Sequence, residues 1–426
     1  MAYHTHARSH TGRKFGKKPA LGRFSATRPH GSGGRPSFKK RPFGGGNRGG
    51  SKGGFKGGSF FDLSQFINKA VITEEVETFI PEHKFSDFHI EPRLKEAIAA
   101  KGYIAPTPIQ DRAIPHVLIG QDVVGIANTG TGKTATFLIP LINKILKNKN
   151  ERVLVMVPTR ELAVQIGDEL RGFTPGLGIY AAICVGGAGI GPQIGALRRR
   201  PQFVIGTPGR LKDLIERKAL NLSTFNTAVL DEADRMLDMG FINDMKTILA
   251  LLPTPRHTLF FSATLSREIE ALIGQFLKEP VRISVKTRET SASIDQDVVR
   301  VPKGADKLNV LHDLLITPEF EKVLIFGRTK HGVEKLSKIL NQRGFKSESI
   351  HGNKTQGARQ RALDAFKKGH MNILVATDVA ARGLDISGVS HVINYDLPAS
   401  REDYVHRIGR TGRAGKRGKA LTFIEA

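Results

Sequence analysis

Eight consecutive residues, Ala127-Asn128-Thr129-Gly130-Thr131-Gly132-Lys133-Thr134, combine two glycines with a lysine and a terminal hydroxyl. A turn of this kind lets backbone N–H groups converge on an anion, and a following helix adds the positive end of its dipole. Lys133 would reach the β- and γ-phosphates of a nucleotide, and the Thr134 hydroxyl would sit on Mg²⁺. The general pattern opens with glycine, whereas this loop opens with Ala127. About 100 residues further on, Asp231-Glu232 supplies the complementary chemistry. A carboxylate just after an apolar strand can hold Mg²⁺ through its waters, and the neighbouring one can orient an attacking water. A lone Asp-Glu pair also suits a charged helix cap; beside a phosphate loop the hydrolytic reading is the better one. Tyr103 and Gln110 place a ring and an amide upstream, the amide able to donate and accept at the edge of adenine. Arg382, Arg407, Arg410 and Arg413 lie far from any nucleotide loop of their own. They suit a role on phosphates across a domain interface, or plain contact with a nucleic-acid backbone, and both remain open for different members of the set.

These side chains need a scaffold, and apolar runs provide it. Val123-Val124-Gly125-Ile126, Val153 to Val157, Phe203-Val204-Ile205, Thr227 to Leu230 and Thr258 to Phe261 read as buried strands, each ending in polar residues. Helical patterns lie between them: Pro92 to Ala100 is one, and Ala135 to Ile142 opens another. Alternating strands and helices predict a parallel sheet with right-handed crossovers, whose ligands bind beyond the carboxyl ends of the strands. A second α/β pattern follows residues 284–296, which read as a linker. Lys322 to Phe326, Ser347 to Ile350, Asn372 to Ala376 and His391 to Tyr395 are its candidate strands, with helices over Val333 to Leu340 and Arg359 to Phe366.

The chain of 426 residues exceeds a single core. Its net charge of +25 points to a polyanionic partner, nucleic acid ahead of an anionic membrane surface. Residues 1–61 hold 14 of the Lys and Arg and no acidic residue. Gly-rich, with single phenylalanines among the cations, this tail is expected to be disordered and to bind RNA by charge and stacking. Residues 62–84 turn acidic and apolar; Asp62 is placed to cap a short helix through Ala70, and a docking or spacer role is the best description. No apolar run approaches the roughly 18 residues of a membrane span, and the N-terminus lacks the apolar core of a secretory signal. Cys184, the only cysteine, excludes an internal disulfide and a cysteine zinc site, and its apolar surroundings predict a core residue. Together these features predict a reduced, cytoplasmic protein.

Taken together, Asp231-Glu232-Ala233-Asp234, Ser262-Ala263-Thr264, Thr377-Asp378-Val379-Ala380-Ala381-Arg382-Gly383-Leu384-Asp385 and His406 to Arg413 are highly specific. With them the chain resembles the DEAD-box ATP-dependent RNA helicases over roughly residues 85–426. In that family the phosphate loop commonly starts with alanine, while Asn128 is a less usual choice. The resemblance implies an α/β fold of two tandem RecA-like domains, each a mostly parallel sheet flanked by helices, at 85–283 and 297–426. It implies ATP and Mg²⁺ as cofactors, with Thr134 and Asp231 on the metal. ATP binding is implied for Phe85, Tyr103, Gln110, the loop from Ala127 to Thr134, Gly383 and, at the ribose, Asp385. Lys133, Asp231 and Glu232 take the catalytic roles. Arg410 and Arg413 look like arginine fingers, supported by His406. Ser262, Ala263 and Thr264 look like the link between hydrolysis and domain closure. RNA contacts are implied for Pro158, Thr159, Arg160, Gly187, Thr207, Gly209, Arg210, Gln356, Arg359 and Thr377. The activity implied is RNA-stimulated ATP hydrolysis coupled to local unwinding of RNA duplexes and remodelling of RNA-protein complexes. No membrane partner is expected; ribosomal or RNA-decay proteins are candidate protein partners. The competing reading is an RNA-binding or annealing chaperone dominated by its basic tail.

Overall fold

In the computed structural model the residues described are 66–68, 79–128, 130–285, 294–381, 386, 388–412 and 418–425. The basic tail therefore lies outside the described residues. A compact unit runs from Phe60 to Ala426 and contains two sheets.

The first sheet takes β1 (Val123–Ile126), β2 (Val153–Met156), β3 (Ala181–Cys184), β4 (Phe203–Gly206), β5 (Thr227–Leu230), β6 (His257–Ser262) and β7 (Val281–Ser284) in the order β3-β4-β2-β5-β6-β1-β7. Every pairing is parallel. Successive strand residues alternate between two cores: Val153 and Val155 face one, Leu154 and Met156 the other. Burial on both faces is why these strands read as unbroken apolar runs. The crossovers are α3 (Lys133–Lys147), α4 (Arg160–Phe173), α5 (Ile190–Arg198), α6 (Pro208–Glu216), α7 (Ala233–Asp238), α8 (Ile242–Ala250) and α9 (Arg267–Phe276). Ahead of them stand α1 (Pro92–Ala100) and α2 (Pro108–Leu118).

The second sheet is built from β8 (Ile294–Val301), β9 (Val323–Phe326), β10 (Ser347–Ile350), β11 (Ile373–Ala376), β12 (His391–Asn394) and β13 (Gly418–Glu425), ordered β10-β11-β9-β12-β13-β8 and again parallel throughout. Its helices are α10 (Lys307–Leu315), α11 (Lys330–Gln342), α12 (Gln356–Lys367), α13 (Asp378–Ala381) and α14 (Arg401–Ile408).

Some strands carry no unbroken apolar run. β7 and β8 are edge strands with most of their residues not buried, β10 reads Ser347-Glu348-Ser349-Ile350, and β13 alternates Lys419, Ala420, Leu421, Thr422. β8 also begins at Ile294, inside the stretch read as linker, so the second sheet starts there. The helix expected through Ala70 does not reach Asn68. That residue pairs antiparallel with Gln296 of β8, because the burial of Phe66 against the second half overrides local helix preference.

Candidate active site

The loops after several strands of the first sheet run straight into helices, so many candidate site residues stand at or near helix N-termini. Gly132 takes φ 94° at the N-cap of α3, a conformation that a side chain resists, and Gly130 takes φ 85°. A Cβ on Gly132 would also collide with the Gln110 amide. That amide is committed at both ends: Gln110 Nε2 donates to the Gly132 carbonyl at 3.1 Å, and its Oε1 accepts from the Thr107 N–H at 3.0 Å. Thr107 adds a hydroxyl bond to the Thr131 carbonyl at 2.7 Å. Gln110 and Thr107 thus brace the phosphate loop from α2. Lys133 is buried and its Nζ donates to the Ala127 carbonyl at 2.9 Å, folding back across the loop. Phe85 is buried edge-to-face on Tyr103, whose hydroxyl donates to Glu169 Oε1 at 2.8 Å. Burial and that carboxylate push the tyrosine's pKa up. Thr129 lies outside the described residues.

After β5 come the carboxylates. Asp231 is 2% exposed, and burial pushes its pKa up to about 6 against the pull of nearby Lys133. Its Oδ1 accepts from the Glu232 N–H at 2.9 Å. Glu232 sits at φ 53°, ψ 50°, left-handed backbone that a non-glycine residue seldom adopts and that marks functional turns. Its Oε2 pairs with Arg235 Nη1 at 3.0 Å, both side chains 5% exposed. Asp234 ties this turn to the next strand. Its Oδ2 accepts from Ala263 N and Thr264 N, each at 3.0 Å, and from Thr264 Oγ1 at 3.2 Å. Ser262 Oγ donates to the Thr264 carbonyl at 2.7 Å. Asp234 and Arg235 were not singled out from the sequence. The signal was their position in the acidic motif, but nothing in a string of residues says which carboxylate takes the cross-strand brace.

The remaining strands of this sheet present the other set. Pro158, Thr159 and Arg160 follow β2, Gly187 follows β3, and Thr207, Gly209 and Arg210 follow β4. Thr159 caps α4 by accepting from Leu162 N at 3.2 Å. Gly187 takes φ 71°, and a Cβ there would strike the Arg160 guanidinium. Burial first, then Arg359 alongside, lowers the pKa of Arg160. Arg359 comes from α12 under the second sheet, buried, its Nη2 2.7 Å from Glu161 Oε2. Near it, both polar ends of the Gln356 amide are buried with no hydrogen-bond partner among the described residues. Thr377 follows β11 and accepts from Ala380 N and Ala381 N at 3.0 and 2.9 Å.

On α14, Arg407 separates from the other arginines. It is 2% exposed and grips Asp378 with two bonds, Nε to Oδ1 at 2.6 Å and Nη2 to Oδ2 at 2.8 Å. Nη1 also donates to Asn394 Oδ1 and the Asp396 carbonyl at 3.2 and 2.6 Å. It is an internal brace, with all three guanidinium nitrogens bonded within the second half. Arg410 is buried too and donates from Nε to the His406 carbonyl at 3.3 Å. The two share a small cavity with Phe326, Asp378 and Asp403. Arg382, Gly383, Asp385 and Arg413 lie outside the described residues.

Two parallel-sheet halves, with a Gly-rich loop, a buried acidic turn and arginines after the strand ends, have the architecture of the RecA-like class. Comparison with known proteins narrows this. The family described as DEAD/DEAH box helicase matches residues 107–272, and the helicase conserved C-terminal domain matches 306–415. The ATP-dependent RNA helicase CshA of Listeria monocytogenes is 47% identical over 344 residues, covering 80% of this chain and 66% of that protein. The DEAD-box ATP-dependent RNA helicase CshA of Bacillus subtilis is 47% identical over 341 residues, 80% of this chain and 69% of that protein. The chain thus spans about two thirds of the length of the curated relatives it matches. Among solved structures, the DEAD-box helicase Mss116 bound to single-stranded RNA and UDP-BeF aligns with a TM-score of 0.72 at 29% identity, covering 81% of this chain and 76% of that one. Saccharomyces cerevisiae Dbp5 bound to RNA and ADP BeF3 aligns at 0.69 and 29%, covering 80% and 90%. The chain belongs to the DEAD-box family of ATP-dependent RNA helicases.

Proposed function

We propose that this protein uses RNA-stimulated ATP hydrolysis to separate short RNA duplexes and to remodel RNA-protein complexes. One observation carries the reading. Along the carboxyl edge of the first sheet, β1, β5 and β6 present the phosphate loop, Asp231 with Glu232, and Ser262 to Thr264. The adjoining β2, β4 and β3 present Pro158 to Arg160, Thr207 to Arg210 and Gly187. Nucleotide and RNA groups thus occupy two halves of one edge, joined at the boundary between β5 and β2.

In this reading Lys133 releases the Ala127 carbonyl to hold the β- and γ-phosphates, and Glu232 orients the attacking water. A buried carboxylate and an alcohol are hard oxygen donors, so Asp231 and Thr134 fit Mg²⁺, which when bound neutralises phosphate charge. Phe85, Tyr103 and Gln110 form the adenine side, Gly383 and Asp385 the far side. Arg410 and Arg413 with His406 stabilise the transferring phosphoryl group when the halves, 85–283 and the residues from 294 onward, close. Arg160, Arg210, Arg359 and the unpartnered Gln356 amide meet the sugar-phosphate backbone, which supplies affinity with little sequence preference. The single cysteine supports a reduced, cytoplasmic setting.

The test is phosphate release with and without single-stranded RNA. Stimulation by RNA and not by DNA of the same length is expected; absence of stimulation, or equal stimulation by DNA, overturns the reading. Lys133→Ala should abolish nucleotide binding. Glu232→Gln should bind ATP and RNA together with turnover reduced at least a hundredfold, on the order of a lost catalytic base. If duplex remodelling survives without ATP, the annealing reading takes its place.

A further inference from the structure

Residues 62–84 do no chemistry and lie outside both family-matched spans. Of their described residues, Glu82 and His83 bond the Asp111 carboxylate of α2, while 66–68 are seated on the second half. Phe66 is 1% exposed and packs among Ile294, Tyr404, Ile408 and Ala420. Its ring meets Tyr404 edge-on, with centroids 4.8 Å apart. Two residues on, Asn68 exchanges both backbone hydrogen bonds with Gln296, Asn68 N to Gln296 O at 3.0 Å and Gln296 N to Asn68 O at 2.8 Å. Gln296 belongs to β8, the outermost strand of its sheet, so the pairing lies along a sheet edge. The Gln296 side chain, itself 4% exposed, accepts the Tyr404 hydroxyl at 2.9 Å. Ile67 and Asn68 are exposed, so the contact consists of one buried ring and one pair of backbone hydrogen bonds.

We infer that Phe66 to Asn68 is an anchor in cis, a single-bridge strand addition that fastens the N-terminal arm to the second half, although the arm precedes the first. Main-chain pairing supplies the register and one aromatic in a pocket supplies specificity, as in other edge-strand docking. Two consequences follow. The halves are joined twice, by the ten peptide units from Ser284 to Ile294 and by the eleven from Asn68 to Phe79. Neither link can reach beyond about 40 Å. A second tether raises the effective concentration of one half at the other. In addition, the 14 cations of residues 1–61 lie in sequence just ahead of Phe66, whose ring packs on Tyr404 of α14. The anchor therefore delivers the basic tail to the half that must close over RNA, a role that rests on the closure proposed above.

The experiment uses the full chain with Phe66→Asp, Asn68→Pro and Phe66→Leu. Hydrogen exchange at the Gln296 amide reads the anchor alone. Exchange at least tenfold faster is expected in the first two variants and near-native exchange in Phe66→Leu; an unchanged rate in Phe66→Asp overturns the anchor. The KM for RNA in the ATPase assay reads its role. A severalfold rise with kcat and ATP affinity unaltered is expected in the two disrupted variants. Faster exchange with an unchanged KM refutes the role. A wild-type chain without RNA-stimulated turnover refutes the activity, while the exchange result still decides the anchor.

Discussion

Arg407 and Arg410 stand three residues apart in the same Gly-flanked run, and the structure gives them different jobs. Removing the Arg407 guanidinium would strip four hydrogen bonds, of 2.6, 2.8, 3.2 and 2.6 Å, and the face-on contact with Phe326 at 5.1 Å. It would leave the Asp378 carboxylate, whose side chain is 24% exposed, without its bidentate partner at the start of α13. Breaking a largely buried ion pair from one side costs about 3 kcal/mol or more, because the surviving charge stays desolvated. For a half of this size that corresponds to a Tm lower by roughly 10 °C. Arg407→Ala should therefore show the second half melting early, by calorimetry or circular dichroism, with RNA-stimulated turnover lost at temperatures where that half is unfolded. Arg407→Lys should fall between, since an ammonium keeps the charge but cannot make the two-pronged bond. Arg410→Ala, by contrast, should lose turnover with a smaller change in melting. If Arg407→Ala melts within a degree or two of wild type and still loses hydrolysis, the brace is wrong and Arg407 acts on phosphate.

Asp231 should give the free protein a pH signature. Its pKa is about 6 when folded against 3.8 for an ordinary aspartate, so its contribution to stability is full below pH 4 and is lost as pH rises through about 6. Asp231→Asn should accordingly raise the Tm at pH 7 and leave it little changed at pH 4; no gain at pH 7 would refute the burial argument. If Asp231 holds Mg²⁺ as proposed, the Mg²⁺ concentration for half-maximal turnover should climb as pH falls below about 6. Gly187→Ala forces a methyl group against the Arg160 guanidinium at φ 71°. With about 1–2 kcal/mol for left-handed backbone alone, a roughly tenfold rise in the KM for RNA is expected, with ATP affinity unaltered; equal loss of both would place Gly187 elsewhere. Cys184 is fully buried with its thiol pushed up to about 12 by burial, so a thiol reagent should react only under denaturant; rapid reaction in buffer would contradict that burial.

The strands that carry the site were legible because sheets covered on both faces write themselves as apolar runs. Val153 to Met156 needs no partner to be recognised. β7 and β8 lie at edges, and in both of them charged and apolar residues mix, so neither stands out as a run. The Gly-rich loop and the acidic turn were legible as motifs, and the structure puts them directly after β1 and β5. What the string of residues withholds is lateral order. β1 lies beside β6 and β7, far away in sequence, and β2 lies between β4 and β5. The division of Arg407 from Arg410 is withheld for the same reason, because only packing decides which guanidinium meets Asp378.

That lateral order makes Asp234 the joint of the first half. β5 lies between β2 and β6, and the turn after it carries Asp231 and the Asp234 that bonds the segment after β6. Three donors from Ala263 and Thr264 converge on a single Asp234 oxygen. A carboxylate is the only common side chain of that length that accepts at every position; an amide there would point a donor either at these donors or at the Arg235 N–H that meets the other oxygen at 3.0 Å. Shifting the turn after β5 must therefore shift the segment after β6 with it, which is the link the proposed function needs between the nucleotide and Ser262 to Thr264. Asp234→Asn should break this unit: ATP binding persists, because Lys133 and the loop are untouched, while RNA no longer accelerates hydrolysis. An Asp234→Asn variant stimulated by RNA as strongly as wild type would show that the two strand ends move independently.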